Sequence, residues 1–76
     1  MKKDFYVVLG ESIIEQRTKQ GIGPEQLAEQ LGLTLGYWLL IERGRRHISV
    51  EQLARLCGIF GCTAEYLLTG KEWQYK

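Results

Sequence analysis

Apolar residues recur three and four positions apart along most of this chain, and no stretch alternates long enough to make a strand. The spacing predicts five helices. The first begins at Asp4, whose carboxylate suits the free amides of a helix start. It takes in Val7, Val8 and Leu9, sets Leu9, Ile13 and Arg17 on one face, and stops at Gly21. The second has Gly23 at the N-cap and Pro24 at the first position, where a missing N–H is no loss. Glu25 follows beside the positive end of the helix dipole. Leu27, Ala28 and Leu31 form its inner stripe, Gly32 supplies a left-handed turn, and Leu33 plugs the angle to the next helix. That third helix is capped by Thr34 and runs from Leu35 to about Arg43, with Trp38 and Ile41 inward and Gly44 as its stop. Ser49 and Gln52 form a capping box for the fourth. Its inner face is expected to hold Val50, Leu53, Ala54, Cys57 and Phe60, with Gly61 at its end. Thr63 caps a short fifth helix that turns Tyr66, Leu67 and Leu68 inward and ends at Gly70. The expected fold class is all-α, a compact five-helix bundle.

Length limits what such a bundle can do. A chain of 76 residues makes one domain, and one of this size buries roughly 60% of the surface its unfolded form exposes. That supports one small core but no deep enzyme cleft. We expect residues 1–8 to be an N-terminal arm or the start of helix one, 9–70 the domain, and 71–76 a tail. Trp73 and Tyr75 in that tail could fold back on the bundle or join a dimer contact. With 45% hydrophobic and 25% charged residues the composition is that of a globular protein. No apolar run approaches the ~20 residues of a membrane span. MKKDFYVVLG lacks the long apolar region and cleavage site of a signal peptide, so a cytoplasmic location without a membrane partner is expected.

The net charge is only +1, so there is no global basic field. Positive charge gathers locally at Arg43, Arg45 and Arg46, beside His47. Cys57 and Cys62 are the only cysteines. Their spacing is not CxxC, a cytosolic chain disfavours a disulfide, and the lone His47 is poorly placed to complete a zinc site. They read as small buried apolar residues, and no metal or other cofactor is expected. GxSxG, P-loop and HExxH patterns are absent, so neither an enzyme nor a small-molecule substrate is expected.

From Gly23 to Gly44 the pattern is two short helices joined by a tight turn at Gly32. That is the layout of a helix-turn-helix, which pushes its second helix into the major groove of DNA. More specific marks lie around it. They are LG at Leu9–Gly10, Arg17, QLAEQLGL at Gln26–Leu33, IERGRR at Ile41–Arg46 and ISVEQLARL at Ile48–Leu56. On these the chain resembles the helix-turn-helix domains of the phage repressor and Cro class, the XRE family, over about Leu9–Gly70. The resemblance implies a lambda-repressor-like bundle whose helices 2 and 3 form the reading motif. It also implies a homodimer on double-stranded DNA, and Arg17 and Glu42 as the pair tying helix one to the end of helix three. Two departures stand out. Gly23 and Pro24 replace the usual Ser or Thr followed by a phosphate-contacting Gln. Leu35, Gly36 and Leu39 replace polar readers such as Gln, Ser or Arg.

Two functions follow from the same face. As a transcription regulator, the domain would grip phosphates with Arg43, Arg45, Arg46 and Lys19. Thr34 and Tyr37 would offer hydrogen bonds, and Leu35, Gly36, Leu39 and Leu40 would complete the surface toward the bases. Leucine reaches at best a thymine methyl, so specificity would rest on few polar groups, methyl contacts and DNA shape. Otherwise the arginines form a solvated loop. As a protein-interaction module (antirepressor, adaptor or dimerisation domain), the chain would use Leu35, Leu39 and Leu40 as an apolar patch. Leu40 turned inward, with Leu35 under the N-terminal arm, would leave no such patch. Trp38 is expected in the core rather than stacked on a base.

Overall fold

Asp4 starts the first helix, its carboxylate accepting from the backbone N–H of Tyr6 at 2.8 Å. The computed structural model describes residues 4–69. Within them lie α1 (Phe5–Lys19), α2 (Pro24–Gln30), α3 (Leu35–Glu42), α4 (Val50–Phe60) and α5 (Ala64–Thr69), with no strand among the described residues. The expectations for Gly70, Trp73 and Tyr75 fall outside this range. Capping follows the sequence closely. Thr34 Oγ1 accepts from Tyr37 N–H at 3.2 Å, opening α3. Ser49 and Gln52 exchange two hydrogen bonds at the start of α4, 3.1 and 3.0 Å long. Gly23 has no side chain, so at α2 only the return half exists, with Gln26 Oε1 accepting from Gly23 N–H at 2.9 Å.

The first four helices end alike. Just past each, an N–H bonds a carbonyl five residues back: Ile22 to Arg17, Leu33 to Ala28, Arg45 to Leu40, and Cys62 to Cys57. In the turn between α2 and α3 the bond requires left-handed backbone at Gly32 (φ 71°), which other residues adopt only with strain.

α1 packs on α3 and α5, α2 on α3, and α4 on α5. The core joins Leu9 and Ile13 of α1, Leu27 and Ala28 of α2, Trp38 and Ile41 of α3, Leu56 and Phe60 of α4, and Leu67 of α5. Polar side chains fasten the far end. The Tyr66 hydroxyl donates to Glu15 at 2.9 Å and accepts from Gln16 at 3.0 Å. The Gln20 amide donates to the carbonyl of Phe60 at 2.8 Å. Cys57 and Cys62 are free thiols, half-buried against the core. Burial pushes both up in pKa, which keeps them protonated and weakly nucleophilic.

The inner face of α4 differs from expectation. Ala54 is exposed and Val50 is 84% exposed, whereas Leu56 is fully buried. The row that meets the bundle is Leu53, Leu56 and Phe60, so Ala54 falls on the outer side. Val50, in the first turn, stands at the rim of an apolar groove of about 190 Å³ with Phe5 and Leu68.

α1 and α3 meet at unusually short range. A Cβ on Gly10 would lie 2.8 Å from the carbonyl carbon of Glu42 and 3.1 Å from the carbonyl oxygen of Ile41. From the same residue, the buried Glu42 carboxylate reaches Arg17. Arg17 Nε donates to Oε2 at 2.8 Å and Nη2 to Oε1 at 3.1 Å, a two-pronged pair. The hydrogen bond to Glu42 raises the Arg17 pKa above its ordinary value, outweighing desolvation. A folded-state pKa raised in this way gives stability that is full below the ordinary guanidinium range and fades only above it. On the Arg17 side, then, the pair is insensitive to pH near neutrality.

The contact predicts that Gly10→Ala destabilises the fold by about 2 kcal/mol, as over-packing does. Urea unfolding would show a lower midpoint, and an unchanged midpoint would contradict the close crossing of α1 and α3.

Candidate nucleic-acid interface

α3 divides sharply into two faces. Trp38 is completely buried, and Ile41 and Glu42 are buried with it. Leu35, Gly36 and Tyr37 are exposed, Leu35 by 39% and Tyr37 by 38%. Leu39 and Leu40 are half-buried and lie outside the group of side chains packed on the core. Leu35 and Leu39, four apart, therefore share the outer side of the helix.

Beyond α3 the chain doubles back. Arg43 is the C-cap and is exposed. Gly44 takes φ 76° and sits so close to α1 that a Cβ would lie 2.8 Å from a Val7 methyl. Arg45 N–H then bonds the Leu40 carbonyl at 2.9 Å, turning the loop back along the helix. As a result Tyr37, Arg45, Arg46 and His47 line one recess of about 230 Å³. The Tyr37 hydroxyl donates to the His47 carbonyl at 3.5 Å, a long hydrogen bond. The His47 ring stacks on Tyr6 of α1, centroids 3.8 Å apart and planes 11° from parallel. Tyr6 in turn meets Phe5 edge-on at 5.1 Å. The first turn of α1 thus braces the basic loop.

Of the residues singled out in the sequence, Tyr37, Arg45 and Arg46 come together in this recess, and Thr34, Leu35 and Gly36 occupy the adjoining turn. Arg43 marks the other end of α3. Lys19 is exposed at the end of α1, with no described contact joining it to the recess. Among the described residues, Arg43, Arg45 and Arg46 have no carboxylate within ion-pair distance. Sequence reasoning missed Tyr6 and noted His47 only as a neighbour of the arginines. No local signal pairs them, because the stack depends on how α1 crosses the end of α3.

The helix-turn-helix domain profile matches residues 8–67. The chain belongs to the helix-turn-helix domain family. Its solved relatives place it among the XRE-type domains. The clp gene regulator ClgR from C. glutamicum is 30% identical, with a TM-score of 0.78 over 88% of this chain and 87% of that one. The restriction-modification controller protein C.AhdI from Aeromonas hydrophila is 31% identical, with a TM-score of 0.72 over 82% of this chain and 94% of that one. The S. venezulae BldD DNA-binding domain is 26% identical, with a TM-score of 0.70 over 87% of this chain and 99% of that one. No curated protein sequence matches the chain. In this helix-turn-helix domain α2 and α3 are the motif, joined at Gly32, with α3 as its second helix. No helix among the described residues is long and apolar enough to cross a membrane.

Gly36 sits in the first turn of α3 with nothing within 4 Å of where a Cβ would stand. Gly36→Ala should raise stability by about 1 kcal/mol, the difference in helix propensity. Thermal unfolding would register a higher midpoint, and a lower one would mean the turn is not the open helix described.

Proposed function

We propose that the protein is a DNA-binding regulator of transcription, repressor-like in action, that lays α3 in the major groove and grips the flanking phosphates through its arginines. One observation carries this reading: the outward turn of the motif's second helix adjoins a recess shared by Tyr37, Arg45 and Arg46. Guanidinium forks match phosphate oxygens in geometry and charge. Contacts of this kind set affinity and register, and carry no sequence information directly. Arg43 extends the positive edge to the end of α3, and Lys19 adds charge at the end of α1. The Thr34 oxygen is engaged as a cap acceptor, which leaves its hydroxyl hydrogen for a phosphate or base edge. Leu35, Gly36 and Leu39 would face the bases, with Leu40 at the margin.

The apolar patch needed by a protein-interaction module is weaker support. Of its three leucines only Leu35 is exposed, and Leu39 and Leu40 are half-buried. Single exposed leucines are ordinary on protein surfaces.

Arg45→Ala combined with Arg46→Ala should weaken duplex binding for every sequence tested. It should also reduce the slope of log affinity against log salt by about 2, near 0.9 for each phosphate contact removed. Unchanged affinity and slope would remove the phosphate role. A wild-type protein that binds no duplex at low salt, yet dimerises with concentration, would favour the protein-interaction module instead.

A further inference from the structure

We infer that α3 recognises methyl groups in the major groove, the C5-methyl of thymine or of 5-methylcytosine, more than base-edge donors and acceptors. The inference rests on the DNA-binding reading above and names what that site selects.

Most polar side-chain groups of α3 are engaged within the protein or sealed inside it. The Tyr37 hydroxyl points to the His47 carbonyl. The Trp38 indole N–H is buried in the core without an acceptor. Both oxygens of Glu42 are taken by Arg17. Ahead of the helix, the Thr34 oxygen accepts from Tyr37 N–H. Besides Tyr37, what α3 turns outward is hydrocarbon: the exposed Leu35, then Gly36, then the half-buried Leu39 one turn on. Arg43, Arg45 and Arg46, unpaired among the described residues, frame this surface with charge suited to a polyanion.

Bases distinguish themselves in the major groove by donors, acceptors and one apolar group, the thymine methyl. A helix face this poor in free donors and acceptors, with the Thr34 hydroxyl hydrogen and the Tyr37 oxygen left over, discriminates chiefly through that group. Gly36 adds room, because the absent Cβ lets the helix backbone come close to the base edges. Leu35 and Leu39 then stand on either side of the gap to cover methyls. Cytosine methylated at C5 presents the same group in the same place, so the surface should take it as well.

The test starts from the duplex that wild-type protein enriches from a random pool at low salt. Each thymine is then replaced singly by deoxyuridine, which deletes only the methyl. Affinity should fall about fourfold at each contacted thymine, the effect of exposing one buried methyl-sized group, with the salt slope unchanged. At those positions cytosine should bind more weakly than 5-methylcytosine. Leu35→Ala, a change at an exposed position, should flatten the thymine-to-deoxyuridine difference while the circular dichroism spectrum stays helical. Equal affinity for thymine and deoxyuridine at every position, with salt-dependent binding retained, would overturn methyl recognition and leave the DNA-binding function standing. Failure to bind any duplex would overturn both.

Discussion

The crossing of α1 over the end of α3 governs this molecule. Two features at one residue make it. The carbonyl of Glu42 sits against Gly10, and its buried carboxylate takes both prongs of Arg17. Neither works without the other. The pair needs the helices close, and closeness needs a residue without a Cβ. Removing one partner of such a pair typically costs about 3–5 kcal/mol, because the remaining charge is left buried. In a domain whose whole stability is of order 5–15 kcal/mol, that is a large share. That cost reflects a charge left unpaired rather than a net gain from the pair, whose clearer effect is to fix how α3 lies on α1.

The same crossing builds the basic loop. Gly44 rests on Val7 one turn before Gly10, and His47 stacks on Tyr6 just ahead of that. α1 consequently contacts α3, its terminator and the loop beyond in sequence. This places Arg45 and Arg46 beside Tyr37 on a braced stretch of backbone, which the proposed phosphate contacts would use. The apolar groove between Phe5, Val50 and Leu68 is lined also by Tyr6 and Ile48, so it lies on the other side of the Tyr6–His47 stack from the basic recess.

Helix starts and stops were legible in the sequence because they depend on chemistry local to a few residues. Asp4, Thr34 and Ser49 cap where their side chains say they should, and glycines terminate where the backbone must turn left-handed. The Arg17–Glu42 pair was also legible, but only through resemblance, since no spacing rule joins residues on different helices. The failures share one cause. Apolar character points Val50 and Ala54 inward, yet helix phase is set by what the neighbouring helices offer, and Leu56 takes the buried place. Tyr6 gave no signal at all, because its partner His47 is brought to it by tertiary packing alone. At the candidate interface, the sequence showed which residues stand on α3 but not that Trp38 and Glu42 are sealed inside and that the Tyr37 hydroxyl donates to the His47 carbonyl.

The central claim is that α3 and the loop after it form one prearranged surface for duplex DNA. Amide chemical-shift mapping with a duplex at low salt tests it most directly. The account predicts shifts concentrated from Thr34 to Leu40 and from Arg43 to His47, with α4 beyond its first turn unmoved. Shifts centred instead on Phe5, Val50 and Leu68, or none anywhere, would contradict it.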